Sequence, residues 1–291
     1  MPRKVLILGG GGFMGRWLVA HLGARGDVVS APSRAEATVA DGSSLQRAIE
    51  TAHPDVVINL AGISSVTHGD VEALYEINML GHLRLLRAVA AAAPSARVFL
   101  ASTANLYGDG IGEAPFRESA TPAPRNHYAL SKFGAEQLHA QFPDLITCAV
   151  RPFNCIGRGQ QPTFFVAKLA RAFRRREPEI QLGNTAVKRD FVDIRDVCAM
   201  WAALIDAPSP PPVVNFGNGE AVALADVIAL MERVSGHHPR MTKADQFVRA
   251  ADLAYQRADN QLIAALGYRR RHSLEDTLAW MLAEKEEFDE A

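Results

Sequence analysis

The chain has 291 residues, of which 48% are hydrophobic and 22% are charged, and its formal net charge at pH 7 is -1. This length suffices to bury a large core, in one two-lobed domain or in two small ones. The balanced charge gives no electrostatic argument for a nucleic-acid or membrane partner, and with no apolar run of bilayer length we expect a cytoplasmic protein.

Residues 5–8 form a short apolar run typical of a strand buried on both faces, too short for a signal peptide. Glycines follow with the spacing G-x-x-G-x-x-G, and residues 16–22 are predicted to form a helix. Such glycines allow a tight turn, close approach of a pyrophosphate and close helix–strand packing at a helix N-terminus. The pattern favours dinucleotide binding over a glycine-rich turn that binds nothing. The residues assigned to the cofactor are Gly9, Gly12, Phe13, Met14 and Gly15.

A second strand is predicted over residues 27–31, and its end should face the adenosine ribose. An acidic residue there would bind the ribose hydroxyls and favour NAD, but this chain has Ser33 and Arg34. A hydroxyl and a guanidinium suit a 2′-phosphate, so we predict NADP(H) as the preferred cofactor, with NAD(H) possible. The alternative for Arg34 is an ordinary solvated arginine.

The alternation of strands and helices continues. Residues 41–52 are predicted to form a short strand end and then a helix, with Asp41 among the cofactor-binding candidates. Residues 55–62 form a buried strand that runs into a turn of small residues, where backbone can approach the cofactor closely. Beyond the turn, Ser64 is assigned to the substrate. The residues of the turn assigned to the cofactor are Leu60, Ala61 and Gly62.

A long helix rich in alanine and leucine is predicted over residues 74–93, ended by Pro94. Its apolar surface is broader than one core-facing stripe needs, which indicates burial against a second subunit. Residues 97–101 form the next strand, which leads into Ser102 and Thr103.

Tyr128 and Lys132 lie four residues apart in the sequence YALSK. On a helix this spacing puts both side chains on one face, where they can meet the same substrate region. A nearby cation favours the phenolate and should lower the tyrosine pKa, so that the tyrosine acts as acid or base. The pattern is common by chance, and the preceding nucleotide-binding elements are what make it informative.

The second half of the chain is predicted to hold a substrate lobe. A strand ends at Asn154, whose amide can bind a sugar or phosphate. Residues 213–217 form a strand that rejoins the first lobe, and a helix is predicted after it over residues 224–235. We therefore predict a Rossmann-like α/β fold, a doubly wound parallel sheet with a smaller C-terminal α/β lobe. The predicted boundaries are residues 1–152, rejoined by about 190–218, for the nucleotide-binding domain, and 153–189 with 219–291 for the substrate lobe.

Together these motifs resemble the extended short-chain dehydrogenase/reductases, the superfamily of NAD(P)-dependent nucleotide-sugar epimerases, dehydratases and reductases. The resemblance rests on GGGGFMG, NLAG at 59–62, Asn78 in the long helix, ASTANLYG at 101–108, YALSK at 128–132, RPFNCIGRGQ at 151–160 and KRDFVDIRDV at 188–197. It implies an enzyme in which Tyr128 donates or accepts a proton. It also implies that Lys132 binds the nicotinamide ribose and tunes Tyr128, and that Asn78 serves the cofactor site. Thr103 would hydrogen-bond the reacting oxygen, with Ser102 as the second choice.

One departure from the family pattern bears on the reaction. Members that dehydrate the sugar at C5 and C6 carry an acidic residue just after the threonine, where this chain has Ala104 and Asn105. An amide cannot serve as a general acid or base at neutral pH, which disfavours dehydratase activity.

The resemblance also implies where the nucleotide diphosphate binds. An arginine in the family grips it at the position of Arg189, and a second reaches the other phosphate at the position of Arg249. Arg249 is followed here by Ala250, whereas the family more often has Arg-Pro. Asp193 and Asp196 are expected to be structural.

Within the superfamily the chain resembles the reductases that act on GDP-4-keto-6-deoxymannose, in the RPFNCIGRGQQ segment and in the serine and arginine after the second strand. This implies NADPH-dependent reduction of the C4 ketone of a nucleotide-linked 4-keto-6-deoxyhexose. The alternatives are an NAD-dependent UDP-hexose 4-epimerase and a non-catalytic NAD(P)-binding regulator.

The resemblance further implies a homodimer, in which the long helix and the helix of Tyr128 pair with their copies in a four-helix bundle. The three cysteines, Cys148, Cys155 and Cys198, lack zinc-like spacing, so we expect buried reduced thiols and no metal.

Overall fold

The structure is a computed structural model that describes residues 2–65, 68–109, 112–244 and 253–283. The strands, in chain order, are β1 (Lys4–Leu8), β2 (Val28–Ser30), β3 (Val56–Asn59), β4 (Arg97–Ala101), β5 (Thr147–Pro152), β6 (Asn154–Ile156), β7 (Glu179–Leu182), β8 (Lys188–Arg189), β9 (Phe191–Asp193), β10 (Val213–Phe216), β11 (Val222–Ala223) and β12 (Arg240–Lys243). The α-helices are α1 (Phe13–Ala24), α2 (Gly42–Ala52), α3 (Val71–Tyr75), α4 (Gly81–Ala92), α5 (His127–Gln137), α6 (Phe165–Arg174), α7 (Ile194–Asp206), α8 (Leu224–Ser235), α9 (Gln261–Ala265) and α10 (Leu274–Leu282).

Six parallel strands form the central sheet in the order β10-β5-β4-β3-β1-β2. The chain leaves β1 for β2 on one side and then returns to place β3 on the other, so the strand order reverses between β1 and β3. Ligands of doubly wound sheets bind at the carboxyl ends of the strands beside such a reversal. The Rossmann-like fold class predicted from the sequence is confirmed.

Alternate side chains of the strands build two apolar layers, one on each face of the sheet. On one face, Val5 and Ile7 of β1 pack with α1 and with Trp201 of α7. On the other face, Leu6 and Leu8 pack with α2 and α4. Helices thus cover both faces and leave the strand ends open for a site.

A smaller apolar cluster lies outside the sheet and joins α6, α8 and α10 to β7 and β12. Its members include Leu169, Phe173, Val227, Met231 and Leu278, all buried. This cluster is a further core in addition to the two layers that cover the sheet.

Several elements match the sequence-based predictions. The helix predicted from residue 224 to residue 235 is α8, and the strand predicted to rejoin the first lobe is β10, which pairs with β5. The strand end predicted before α2 is wrong. Residues 31–41 form turns and extended chain and no strand. Asp41 is instead the cap of α2, because its side chain accepts hydrogen bonds from the amides of Ser43 and Ser44.

The long helix predicted over residues 74–93 differs from the observed one in two ways. It starts earlier, at Val71, because the side chain of Asp70 accepts a hydrogen bond from the Ala73 amide and caps it. It is also interrupted by a π-helical segment, Glu76–Leu80, between α3 and α4. This wider turn contains Asn78, a buried residue assigned to the cofactor from the sequence.

Candidate active site

The glycine-rich loop after β1 has a shape that larger residues cannot adopt. Gly9 has a φ of +80°, and a Cβ there would lie 2.7 Å from the Ala61 amide nitrogen. A Cβ on Gly15 would lie 2.3 Å from the Gly9 carbonyl oxygen. Gly12 is the N-cap of α1 and offers no side-chain acceptor to the first-turn amides of that helix. A phosphate oxygen is the acceptor that such amides bind well, so the loop fits the diphosphate of a dinucleotide.

Two buried asparagines hold the turn after β3, which faces this loop. Asn59 accepts a hydrogen bond from the Ala61 amide at 3.1 Å. The Asn78 side chain accepts one from the Ile63 amide at 2.9 Å and donates to the Ile63 carbonyl at 3.1 Å. A Cβ on Gly62 would lie 2.7 Å from the Asn78 side-chain oxygen and 3.1 Å from Lys132 Nζ. The side chains of Asn59 and Asn78 therefore hold the backbone of the turn at residues 60–62 in place.

Helix α5 carries Tyr128 and Lys132 to the end of β4. The side chain of Asn126 starts the helix by accepting a hydrogen bond from the Ala129 amide at 2.8 Å. Lys132 is buried and donates from Nζ to the Ala101 carbonyl at 2.8 Å. Tyr128 is buried as well and is hydrogen-bonded to the side chain of Thr103. The structure thus brings the phenol, the hydroxyl and the ammonium together at one strand end.

The expected lowering of the Tyr128 pKa by Lys132 is wrong for this structure. Burial raises the pKa of the Tyr128 phenol, and the hydrogen bond from Thr103 is what opposes this increase. Burial also lowers the pKa of the Lys132 ammonium to about 8, with Glu136 acting in the opposite direction. Burial and the Thr103 hydrogen bond, and not the charge of Lys132, therefore set the direction of the Tyr128 pKa shift.

The two hydroxyls after β4 differ in their partners. Thr103 Oγ1 accepts a hydrogen bond from the Asn105 amide at 3.2 Å, which leaves its proton for the Tyr128 oxygen. The Ser102 hydroxyl is buried, and within the described residues it has no hydrogen-bond partner. A polar group of a bound molecule could satisfy Ser102, because buried hydroxyls are rarely left unpaired.

The residues assigned to the adenosine end lie on the surface. Ser33 and Arg34 are exposed after β2, and the Ser33 amide donates to the Glu36 carboxylate at 2.8 Å. Hydrogen bonds from Ser33 lower the pKa of Glu36. This carboxylate, two residues from Arg34, is a feature that the sequence reasoning missed. The Asp41 carboxylate is engaged with Ser43 at the start of α2.

The residues assigned to the substrate lie on separate segments of the chain. Asn154 donates from its side chain to the Asp190 carbonyl at 3.2 Å, and Arg189 is half-buried and donates to the Lys188 carbonyl at 3.0 Å. Ser64 is exposed beyond the turn after β3. Arg249 lies outside the described residues.

A buried carboxylate that the sequence reasoning missed connects these segments. Asp190 accepts hydrogen bonds from the backbone amides of Asn218, Gly219 and Ala258 at 2.9 to 3.1 Å. Burial raises its pKa to about 6 even though these amides favour the charged form. Asp190 thus joins the end of β10 to the segment that precedes α9.

A buried ion pair lies behind the catalytic candidates. Glu136 of α5 receives two hydrogen bonds from Arg151 of β5, at 3.0 and 2.6 Å. Arg151 also donates to the Tyr107 hydroxyl at 2.9 Å, and Tyr107 donates to Asn215 of β10 at 2.7 Å. The network ties the helix of Tyr128 to two strands of the sheet, one helical turn beyond Lys132.

Three further observations concern metal ligands, two buried aspartates and membrane-spanning helices. In the described part of the chain, no group of three or more histidine, cysteine or acidic side chains could hold a metal ion. Asp193 and Asp196, expected to be structural, accept hydrogen bonds from the backbone amides of Arg195 and His272 respectively. The helices of the described residues include none long and apolar enough to span a membrane.

Comparison with known proteins identifies relatives of the chain. Residues 5–217 match the family described as the NAD dependent epimerase/dehydratase family. The chain is 31% identical to a GDP-6-deoxy-D-talose 4-dehydrogenase of Aggregatibacter actinomycetemcomitans, over 91% of each protein. It is also 31% identical to a GDP-6-deoxy-D-mannose reductase of Pseudomonas aeruginosa, over 81% of each. The structure of RMD from Pseudomonas aeruginosa complexed with NADPH superposes with a TM-score of 0.88 at 28% identity, over 97% of each chain.

Proposed function

The chain belongs to the NAD dependent epimerase/dehydratase family, and within it we propose an NADPH-dependent reductase of the C4 ketone of GDP-4-keto-6-deoxymannose. As a member it is an NAD(P)-dependent enzyme of nucleotide-sugar metabolism. The observation that carries the proposal is the hydrogen-bonded pair of Thr103 and Tyr128 at the end of β4, where the Lys132 ammonium donates to the Ala101 carbonyl.

The names of two relatives support this substrate. One acts on a GDP-6-deoxy-D-talose at position 4, and the other is a GDP-6-deoxy-D-mannose reductase. Talose and mannose are epimers at C4, so oxidation of either sugar at C4 gives the same 4-keto compound. GDP-4-keto-6-deoxymannose is therefore the ketone to which both names point.

In the proposed reaction, NADPH supplies a hydride to C4 of the sugar. The Thr103 hydroxyl, which donates to the Tyr128 oxygen in the structure, is proposed to hydrogen-bond the C4 oxygen once the sugar is bound. Tyr128 donates its proton to the oxygen as the ketone becomes an alcohol. The Lys132 ammonium stabilises the phenolate that this leaves and binds the nicotinamide ribose. The unpartnered Ser102 hydroxyl offers a further hydrogen bond to the sugar.

The cofactor site is proposed on the loop Gly9–Gly15 and on the turn at residues 60–62. These segments fit a dinucleotide because their glycines have no side chains, so that a ligand can approach the backbone closely. Arg34 and Ser33 are exposed where the adenosine ribose would lie, and they are the proposed partners of a 2′-phosphate. The Glu36 carboxylate accepts a hydrogen bond from the Ser33 amide and so orients the turn that carries Ser33 and Arg34.

The diphosphate and sugar of the substrate are proposed to lie between Arg189, Asn154 and Ser64, with Arg249 as the second phosphate ligand. Arg189 is the half-buried last residue of β8, and the buried Asp190 follows it directly in the chain. Dehydration is disfavoured because Ala104 and Asn105 begin the turn after Thr103, where an acid would be needed.

The Tyr128→Phe variant tests the proposed function. It removes the proton donor and keeps the aromatic ring, so we expect turnover to fall by about 10²- to 10⁴-fold while the NADPH dissociation constant stays within about a few-fold. Coupled measurement of NADPH oxidation and NADPH fluorescence titration separates the two effects. A variant that retains turnover would contradict the role of Tyr128, and a protein that acts only as a regulator would show no turnover to lose.

A further inference from the structure

A pair of hydrogen-bonded histidines, one buried and one partly buried, lies behind the turn after β3. His82, on α4, is completely buried, and its Nδ1 lies 3.2 Å from the side-chain nitrogen of Asn59. Its Nε2 lies 2.9 Å from Nε2 of His139, in the short 3-10 turn that follows α5. Because Asn59 also binds the Ala61 amide, a continuous chain of hydrogen bonds runs from this turn to His139.

The chemistry of the groups fixes the direction of every bond in this chain. The Ala61 amide can only donate, so the Asn59 oxygen faces it and the Asn59 amino group faces His82. The amino group also can only donate, which requires an unprotonated Nδ1 on His82. The single proton of neutral His82 is then on Nε2, and it is donated to an unprotonated Nε2 of His139. The proton of His139 lies on Nδ1.

A second protonation of either histidine would break the chain. A proton on Nδ1 of His82 would face the amino group of Asn59, and turning the Asn59 amide would place that amino group against the Ala61 amide. A proton on Nε2 of His139 would face the one on Nε2 of His82. Burial, then His139 and the charge of Lys132 on α5, lower the pKa of His82, and burial lowers that of His139 to about 4.

We propose that His82 is a positioning residue for the cofactor-binding turn, acting through Asn59, and that His139 fixes the tautomer of His82. The proposal rests on the proposed function in one respect, that the turn at residues 60–62 contacts the dinucleotide. Asn59 and Asn78 then hold the turn from two sides, and the histidine pair orients the first of them. Neither histidine touches the substrate, so the expected effect is on cofactor affinity and not on the chemical step.

A matched pair of variants tests this assignment. His139→Gln keeps a side-chain acceptor for the proton of His82, so we expect its NADPH dissociation constant to stay within about twofold of wild type. His139→Leu leaves that proton without an acceptor, and we expect the constant to rise roughly tenfold. At saturating NADPH, kcat should change by less than about twofold in both variants. Equal affinities of the Gln and Leu variants, after thermal unfolding shows both folded, would overturn the proposal.

A spectroscopic measurement tests the tautomers without any ligand. Nitrogen NMR of histidine-labelled protein at pH 7.5 should show His82 protonated on Nε2 and His139 protonated on Nδ1, assigned with the two His139 variants. A His82 protonated on Nδ1 would overturn the proposal. A preference for NADH would contradict the proposed function alone, because the ratio between the variants is measured on whichever dinucleotide binds. Binding of neither dinucleotide would overturn both.

Discussion

Lys132 is the residue on which the electrostatics of the proposed site depend. Its side chain is buried, and the carbonyl of Ala101 holds its ammonium 2.8 Å away. Burial lowers its pKa from the ordinary value to about 8, so the cation is present at neutral pH but with little margin. A cation with this pKa titrates within the range in which the enzyme can be assayed.

This pKa predicts the alkaline limit of cofactor binding. As the pH rises through about 8, Lys132 loses its proton, and with it the charge proposed to bind the ribose and stabilise the Tyr128 phenolate. We expect the NADPH dissociation constant of the wild type to increase between pH 7.5 and pH 9.5. Lys132→Met should bind more weakly at pH 7.5 and lack this step, as measured by fluorescence titration. A wild-type profile that is flat over this range would contradict the assignment.

The sequence identifies the groups of the site better than it identifies their protonation. The family resemblance, and not the spacing alone, is what predicts that Ser102, Thr103, Tyr128 and Lys132 share one site. The direction of the Tyr128 pKa shift depends on how much of the phenol is buried, which is a tertiary property. The hydrogen bond between the two histidines cannot be predicted from the sequence either, because 57 residues separate His82 from His139.

At the scale of elements, the position of α5 depends on the buried pair of Glu136 and Arg151. Their side chains are only 3% and 5% exposed, and Arg151 Nε and one terminal guanidinium nitrogen bind the two carboxylate oxygens. The Arg151 guanidinium also stacks 4.9 Å from the centre of the Tyr107 ring. Since Glu136 lies on the same helix as Tyr128 and Lys132, the pair sets the helix against β5.

Removing the charge of Glu136 from this pair should destabilise the protein. We expect Glu136→Gln to lower the free energy of unfolding by about 3–5 kcal/mol, because Arg151 is left buried without its counter-charge. The control is Glu275→Gln, which breaks the exposed pair with Arg233 and should cost less than about 1 kcal/mol. Urea denaturation measures both. An effect of Glu136→Gln as small as that of the control would show that the pair does not fix the helix.

Regular elements are easier to predict than their local departures. The helix α8 is recovered from residue 224 to residue 235, since it combines apolar periodicity with a glycine just past its end, Gly236. The π-helical segment around Asn78 is not predictable from periodicity, and the hydrogen bonds of Asn78 to Ile63 join residues 15 positions apart. Ion pairs such as Glu136–Arg151 cannot be predicted without the tertiary structure, which brings the two residues together.

At the scale of the whole molecule, some of the exposed apolar side chains lie on the helices expected to form a dimer interface. Six large apolar side chains are exposed among the described residues, and three of them, Val71, Leu80 and Leu130, lie on α3, the π-helical segment and α5. These are the helices predicted from the sequence to form a four-helix bundle with their copies. Helix α5 also carries Tyr128, so the interface would support the site from behind.

We expect the protein to be a homodimer at micromolar concentration and Leu130→Glu to be a monomer, because the charge would be buried at the interface. Light scattering coupled to size-exclusion chromatography gives the mass. The matched control is Ile146→Glu, at an exposed residue outside these helices, which should leave the dimer intact. A wild-type mass of one chain would contradict the prediction.

The consumption of hydride tests the proposed function most directly. NADPH and NADH absorbance would be followed with freshly prepared GDP-4-keto-6-deoxymannose and, in parallel, with the thymidine-linked analogue. We expect rapid oxidation with the GDP sugar and a preference for NADPH, which would support the role given to Arg34. No oxidation with either sugar, together with NAD that stays bound through purification, would contradict the reductase and favour a 4-epimerase.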